Sequence, residues 1–324
     1  MKSIVAGLQP ERYQRHPIHG ENRVWVETNC YADVLVELVH ALGFEPIAAL
    51  PFTLAIDFEG DQWTFFKFPD ADLRTLYGLD IQELAIWRPL VEQVRDQVEA
   101  GRPVLVELDS FYLPDTAGTA YQLGHVKTTV AVNEIDIERR HLGYFHNQGY
   151  YNLGGEDFAQ IFQLDGLPHP RVLPPYVEIV KRTPQPPLAG RDLLDASLAL
   201  LKENLALAPR SNPFQIFKEK FARDLDWLMQ ADIAAFHVYS FANLRQYGAC
   251  FELAETYLRW LEAQGIGQLD TAATALHQIA ETAKTFQFQL ARAMARKKPL
   301  DLGALDGMGQ LWDNALSELQ RHHG

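Results

Sequence analysis

The chain has 324 residues, 47% of them hydrophobic and 22% charged, and 29 basic against 42 acidic side chains leave a net charge of −13. That length is too great for one core and suits two domains, and the acidic balance argues against a dedicated nucleic-acid or anionic-membrane binder, which needs a basic face. Two cysteines, Cys30 and Cys250, cannot build a disulfide framework or a Cys-rich zinc site. With no signal-like N-terminus and no run of 18 apolar residues, a soluble protein of a reducing, cytoplasmic compartment is expected.

In chain order, residues 32–42 carry helical periodicity and stop at Gly43, a C-cap. Residues 79–100 also read as helix, broken near Pro89 and ending at Gly101. β-branched runs at 103–108, 126–132, 141–145 and 175–180 read as strands. This order predicts an α+β domain with a mostly antiparallel sheet. Gly154 and Gly155 read as a turn, since no GxxxxGK[ST] surrounds them.

Fifteen of the 18 prolines lie before residue 188, and 183–187 (TPQPP) reads as an extended linker. Residues 1–187 hold 15 basic and 26 acidic side chains, against 14 and 16 in the remainder. Beyond the linker, 190–207, 213–228, 233–264, 271–296 and 305–321 show three- and four-residue apolar spacing. Ser211 and Asp270 stand where N-caps are expected, and a break near Gly248 is open. The expected organisation is therefore an α+β domain at 1–182, a linker at 183–190 and an all-α helical bundle at 191–324.

Cys30 opens the first helix, in ETNCYAD. There the unpaired backbone N–H groups and the helix dipole favour a thiolate, which suits a nucleophile. The bland alternative is a small buried hydrophobe, and Cys250, between Ala249 and Phe251, fits that description better. His125 stands at the mouth of the strand 126–132, 95 residues after Cys30, which is the chain order of papain-like enzymes. Its imidazole would take the thiol proton and return it to the leaving group. The next strand delivers His146 and Asn147; an Asn one strand later would accept the imidazole Nδ1–H, completing Cys–His–Asn. Asn29 would either help form an oxyanion hole with the Cys30 backbone N–H or cap the helix, and both readings stand.

The Cys-led helix ending in Ala-Leu-Gly, the segment RPVLVELDSFYLP and the strand GHVKTTVAV resemble the N-terminal domain of BtrH-like acyltransferases of butirosin biosynthesis, a papain-like group. Over its whole length the chain resembles the bacterial family of uncharacterised proteins DUF1839. The BtrH-like likeness covers roughly residues 25–160 and implies a papain-like cysteine-enzyme domain. It further implies transfer of an acyl group from a carrier-protein thioester to an amine through an acyl-enzyme, with no cofactor. Cys30 would be the nucleophile, His125 the base and acid, and Asp109 the acidic residue of the PVxVxxD segment, its role unassigned; Tyr112 would be a supporting residue. Where the resemblance leads one to expect an Asp after the strand that follows the histidine, this chain has His146-Asn147. Asn147 can fill the orienting role, and His146 there would be unusual.

Other candidates have plainer readings. His16 and His19, in HPIHG, suit a loop better than a metal-bearing helix; His40, His237 and His277 suit structural roles, and His322-His323 a frayed tail. No metal-ligand spacing occurs. Phe286, Phe288, Trp260 and Trp312 suit bundle packing. Arg292, Arg296, Lys297 and Lys298 fit the C-terminal end of a helix dipole; the sharper reading is a dock for an acidic acyl or aminoacyl carrier protein. The leading expectation is a cysteine-dependent acyl or aminoacyl transferase acting on a small-molecule acceptor. The alternatives are a papain-like peptidase or amidase, or a non-catalytic binding module with a helical interaction domain.

Overall fold

Asn29 begins the first helix by leaving the β region for it. In the computed structural model, which describes residues 2–164 and 173–324, its backbone is extended and its Oδ1 accepts the Ala32 N–H at 2.9 Å. This caps α1 (Cys30–Ala41), which ends at the left-handed Gly43. Next come α2 (Asp70–Tyr77), β1 (Leu79–Glu83), α3 (Leu90–Glu99) and β2 (Val104–Asp109). After two 3-10 turns follow β3 (Lys127–Asp136), β4 (His141–His146), β5 (Gly149–Gly154), α4 (Gly155–Ile161) and β6 (Val177–Arg182).

The six strands form one sheet in the order β1-β6-β2-β3-β4-β5, every pairing antiparallel. This half is α+β, as expected from the sequence. Because side chains alternate along a strand, the register sorts them into two faces. Val104, Val106, Val130, Val132 and Tyr144 join Val94, Val98 and Phe158 in a core under α3 and α4. Leu105, Ala131, Phe145 and Glu178 stand opposite one another on the other face, where α1 packs across β3 and β4.

Of the helix expected over 79–100 with a break near Pro89, the break is found, with Pro89 capping α3, but the part before it is corrected. Residues 79–83 are an edge strand paired to β6, with Leu79 and Ile81 buried, and only 90–99 are helical. The sequence LDIQE is half polar and helix-tolerant; its strand state comes from the neighbour it pairs with. No β-branched run marks β5 in the sequence, and the glycine pair Gly154-Gly155 joins β5 to α4.

The helical half contains α5 (Gly190–Leu207), α6 (Pro213–Leu228), α7 (Ile233–Ser240), a π-helical turn (Phe241–Arg245), α8 (Gln246–Ala263), α9 (Asp270–Arg296) and α10 (Gly303–His323). The expected break near Gly248 is instead the π turn just before α8. Gly248 lies inside α8, where a Cβ would come 2.8 Å from the Trp25 ring and 2.9 Å from Ala283 Cβ. Two caps are reassigned: Asn212, not Ser211, bonds the Phe214 N–H, and Asp270 lies inside α9 with its carboxylate on Arg259 at 2.6 Å. Phe286 and Trp312 are core residues, but Phe288 is exposed, because it lies on the outer face of α9. α10 stays helical through His323, so the expected frayed tail is ordered helix.

The chain divides into two compact units. One comprises Met1–His19, Asn29–Pro46 and Leu73–Pro187; the other comprises Gly20–Thr28, Ile47–Asp72 and Leu188–Gly324. The chain passes between them at the proline-rich stretch, yet 20–28 and 47–72 belong with the helices. The reason is apolar: Trp63 is fully buried, with ring centroids 4.9–6.3 Å from Phe214, Phe217, Tyr247 and Phe251. Glu252 on α8 accepts the Val24 and Trp25 N–H groups, each at 2.8 Å. Among the described residues, no helix is long and apolar enough to cross a membrane.

Candidate functional site

Cys30 is the first residue of α1 and a partly exposed free thiol. Asn29 satisfies the first turn twice: its side chain takes the Ala32 N–H, and its carbonyl oxygen takes the Asp33 N–H at 3.0 Å. The cap reading of Asn29 is therefore realised. The helix has a definite direction over the sheet. Tyr31 OH donates to Glu178 at 2.7 Å near its start, and Phe44, just past its end, meets the Arg182 guanidinium at 5.7 Å. Residues 178 to 182 of β6 run away from the Asp109 end of neighbouring β2, since Val106 pairs with Val177 and Val104 with Ile179. The N-terminus of α1 thus points toward the end of the sheet where Asp109 lies.

Asp109 stands last on β2, opposite Lys127 and on the same face as Leu105. Its Oδ2 lies 2.6 Å from His125 Nδ1, and its Oδ1 accepts the Phe111 N–H at 3.0 Å. Both carboxylate oxygens are engaged, so the imidazole has one preferred orientation with Nδ1–H donating. Phe111 stacks on the imidazole at 4.4 Å with 14° between planes, and Tyr112 meets it edge-on at 6.3 Å. Leu123 and Val126, close to His125 in the chain, are both exposed.

Asn147 and His146 are placed differently. Asn147 has φ +45° in the two-residue β4–β5 turn, a conformation that Asn tolerates. His146, the last residue of β4, pairs with Val130, four residues or roughly 13 Å along β3 from Val126, and the turn that holds Asn147 continues from there toward the Val126 end. His146 is buried on the opposite face of the sheet, its Nδ1 2.5 Å from Asp115 and its Nε2 2.8 Å from the Thr128 hydroxyl. Tyr144 OH also donates to Asp115, at 2.5 Å. His146 is therefore a member of a closed buried network and does not touch His125; the residue that does is Asp109.

A cleft of about 390 Å³ in the same unit is lined by Glu83, Leu84, Ile86, Glu107, Pro175 and Tyr176 among others. Glu107 is two residues from Asp109 on the same face, and its Oε1 receives Lys127 Nζ at 2.5 Å. Tyr176 OH and Tyr31 OH each donate to Glu178, at 2.8 and 2.7 Å, tying the cleft wall to the residue beside Cys30. No local pattern in the sequence singles out Phe111, Tyr176 or Glu178. Phe111 and Tyr176 lie on irregular or flanking backbone, and a glutamate within a strand gives no signal of its own.

His16 lies in irregular backbone and His19 in a three-residue 3-10 turn, as a loop reading of HPIHG expects, and both are buried. His19 Nδ1 is 2.5 Å from Glu37 and Nε2 3.2 Å from Asp33, both on α1. Burial alone would lower its pKa, but the hydrogen bonds and charges of Asp33 and Glu37 reverse this and raise it to about 9. Cys250 is fully buried and its thiol is pushed well above the usual range by desolvation. His40 Nε2 lies 3.2 Å from the Gln14 carbonyl, His277 pairs with Glu281 and His237 lies against Phe236. Arg292, Arg296, Lys297 and Lys298 are exposed at the end of α9, with Lys297 in the left-handed C-cap position. Among the described residues, no three His, Cys, Asp or Glu side chains gather so as to hold a metal ion.

No curated protein matches the chain. The DUF1839 N-terminal domain matches residues 14–182, which include Cys30, Asp109 and His125, and the DUF1839 C-terminal domain matches residues 190–321. With both domains matched in order along nearly its whole length, the chain belongs to the DUF1839 family.

Proposed function

We propose that this protein is a cysteine-dependent acyl or aminoacyl transferase whose first unit is papain-like, with Cys30 as nucleophile, His125 as base and then acid, and Asp109 as the residue that orients His125. The observation that carries the reading is the 2.6 Å bond from His125 to Asp109, at the end of the sheet toward which the Cys30 helix terminus points. An aspartate on Nδ1 leaves Nε2 as the proton acceptor and stabilises the imidazolium once it forms.

In the reaction, His125 Nε2 takes the Cys30 thiol proton and Sγ attacks the thioester carbonyl. The negative oxygen of the tetrahedral intermediate would lie at the start of α1, near the Cys30 N–H, where the helix dipole favours negative charge. Collapse expels the donor thiolate, which leaves as a thiol with the proton from His125. An amine then attacks the acyl-Cys30 carbonyl and His125 takes its proton. The amide is released and the Cys30 thiolate recovers the proton. No net oxidant or reductant is needed.

Incubation with an acyl thioester of a small pantetheine-like thiol, followed by intact-mass measurement, tests this. One acyl adduct, lost in Cys30→Ser and discharged by added amine, supports transfer; no adduct on the wild type sinks it. The second reading, a peptidase or amidase, draws on the exposure of His125, which leaves an acyl-enzyme open to water. Peptide turnover without amine-dependent discharge would favour it.

A further inference from the structure

His146 stands in a line of three groups that repeats the order of a hydrolase triad. The Asp115 carboxylate lies 2.5 Å from its Nδ1, and the Thr128 hydroxyl lies 2.8 Å from its Nε2. The line cannot serve as a second active centre, because His146 is 1% exposed and Thr128 7%. Both lie on the face of the sheet that carries Val130 and Tyr144. What the two partners share is their place in the chain. Asp115 comes ten residues before His125 and Thr128 three residues after it, so one buried imidazole joins both sides of the segment that carries the base.

That segment is a closed loop. At its base the Ser110 N–H and hydroxyl both donate to the Val126 carbonyl, at 2.9 and 2.8 Å. Inside it, the Gln122 N–H donates to the Phe111 carbonyl and the Thr116 hydroxyl to the Ser110 carbonyl, each at 3.0 Å. Phe111 at the entry stacks on His125 at the exit, so the path of the loop sets both rings. Three attachments tie the loop to the body of the unit. Leu113 is fully buried in the core, and Tyr121 OH donates to Asp157 on α4 at 2.9 Å. The third is Asp115, whose buried carboxylate takes Tyr144 OH as well as His146. Releasing those donors would leave a charge in the interior without partners, so this attachment resists opening. The His125 side chain is 67% exposed, and an imidazole so open to water keeps one orientation only if the backbone beneath it is fixed.

We propose that His146 is a positioning residue for His125: by clasping Asp115 to Thr128 it fixes the loop 110–126 and keeps the His125 imidazole on Asp109. Its importance for transfer rests on the roles given above to Cys30 and His125. His146→Leu alone would strand the Asp115 charge, so the test variant is Asp115→Ala with His146→Leu, which removes both halves of the clasp. Histidine-selective 15N NMR of the full chain, at a pH where the ring is neutral, is expected to show wild-type His125 as a single Nδ1–H tautomer. The variant should show a mixture, because the ring leaves Asp109 part of the time. Single-turnover acylation by the pantetheine-like thioester should slow about 10- to 100-fold with the thioester dissociation constant unchanged. In His146→Asn the amide nitrogen can stand where Nδ1 stands, and most of the rate should return. In His146→Gln it stands nearer the Nε2 position, and the rate should stay low. If the double variant does not fold, Tyr144→Phe removes one hydrogen bond from Asp115 and keeps the ring packed. It should move both readouts the same way by less. Folded variants that keep a single His125 tautomer and the wild-type rate overturn the proposal, as does a loss confined to thioester binding or one that His146→Asn does not relieve. A wild type that takes no acyl adduct removes the transferase reading and leaves the tautomer measurement to decide the clasp.

Discussion

Cys30 and Cys250 occupy opposite surroundings: one opens a helix with its thiol partly exposed, the other is enclosed with its thiol 3.6 Å from the Thr53 carbonyl. Native protein treated with iodoacetamide near pH 7.5 is expected to take one label, at Cys30, while urea-unfolded protein takes two; peptide mapping by mass spectrometry reads this directly. Asp109→Asn keeps the shape but weakens the hold on the His125 tautomer, so Cys30 acylation should slow by about 10²- to 10⁴-fold in single-turnover measurements, and Asn147→Ala should slow it far less. A comparable loss from Asn147→Ala would return the orienting role to that residue. His19 supplies a pH prediction. Its folded pKa, about 9, exceeds the ordinary 6.5, so its contribution to stability is complete below pH 6.5 and fades as pH rises through 9. The urea midpoint should therefore fall between pH 6.5 and 9, and His19→Gln should be less stable at pH 6.5 and lose most of that slope.

Among elements, the long helices were legible because each carries an apolar stripe over four or more turns, as α9 does from Ala272 to Met294. β1 was not, because five residues give two alternations at most and Gln82 and Glu83 are good helix formers. Where α8 packs against α9, Gly248 allows the Trp25 ring and Ala283 to approach closely. Gly248→Ala should cost about 1–3 kcal/mol in denaturant unfolding despite the better helix propensity of alanine, because the ring must shift. An unchanged or raised midpoint would show that the contact relaxes freely. α2 holds the reverse case: Asp72 is buried, its pKa raised to about 6 first by burial and then by Glu203. That charge destabilises the fold increasingly as pH rises from 4 through 6, so Asp72→Asn should raise the pH 7 midpoint and leave it nearly unchanged at pH 4.

At the scale of the molecule, the helical unit is completed by segments from the first half of the chain. A fragment of residues 188–324 would lack Trp63, Phe58 and Trp25, and with them the centre of the aromatic cluster around Phe214, Phe217 and Tyr247. It is expected to be helical by circular dichroism yet to melt without cooperativity and bind an apolar dye; a sharp melting transition would contradict this. The sequence by itself determined the composition class, the helices after residue 188, four of the six strands, and the placing of Cys30 at a helix start and of His125 at a strand mouth. Each of these is a local property, fixed by periodicity and by capping or turn chemistry within a few residues. Only the tertiary structure decided that Asp109 rather than Asn147 holds His125, that His146 lies on the opposite face, and that segments 20–28 and 47–72 join the helices. These depend on strand register and on which apolar surfaces bury one another, and both are set between residues far apart in the chain.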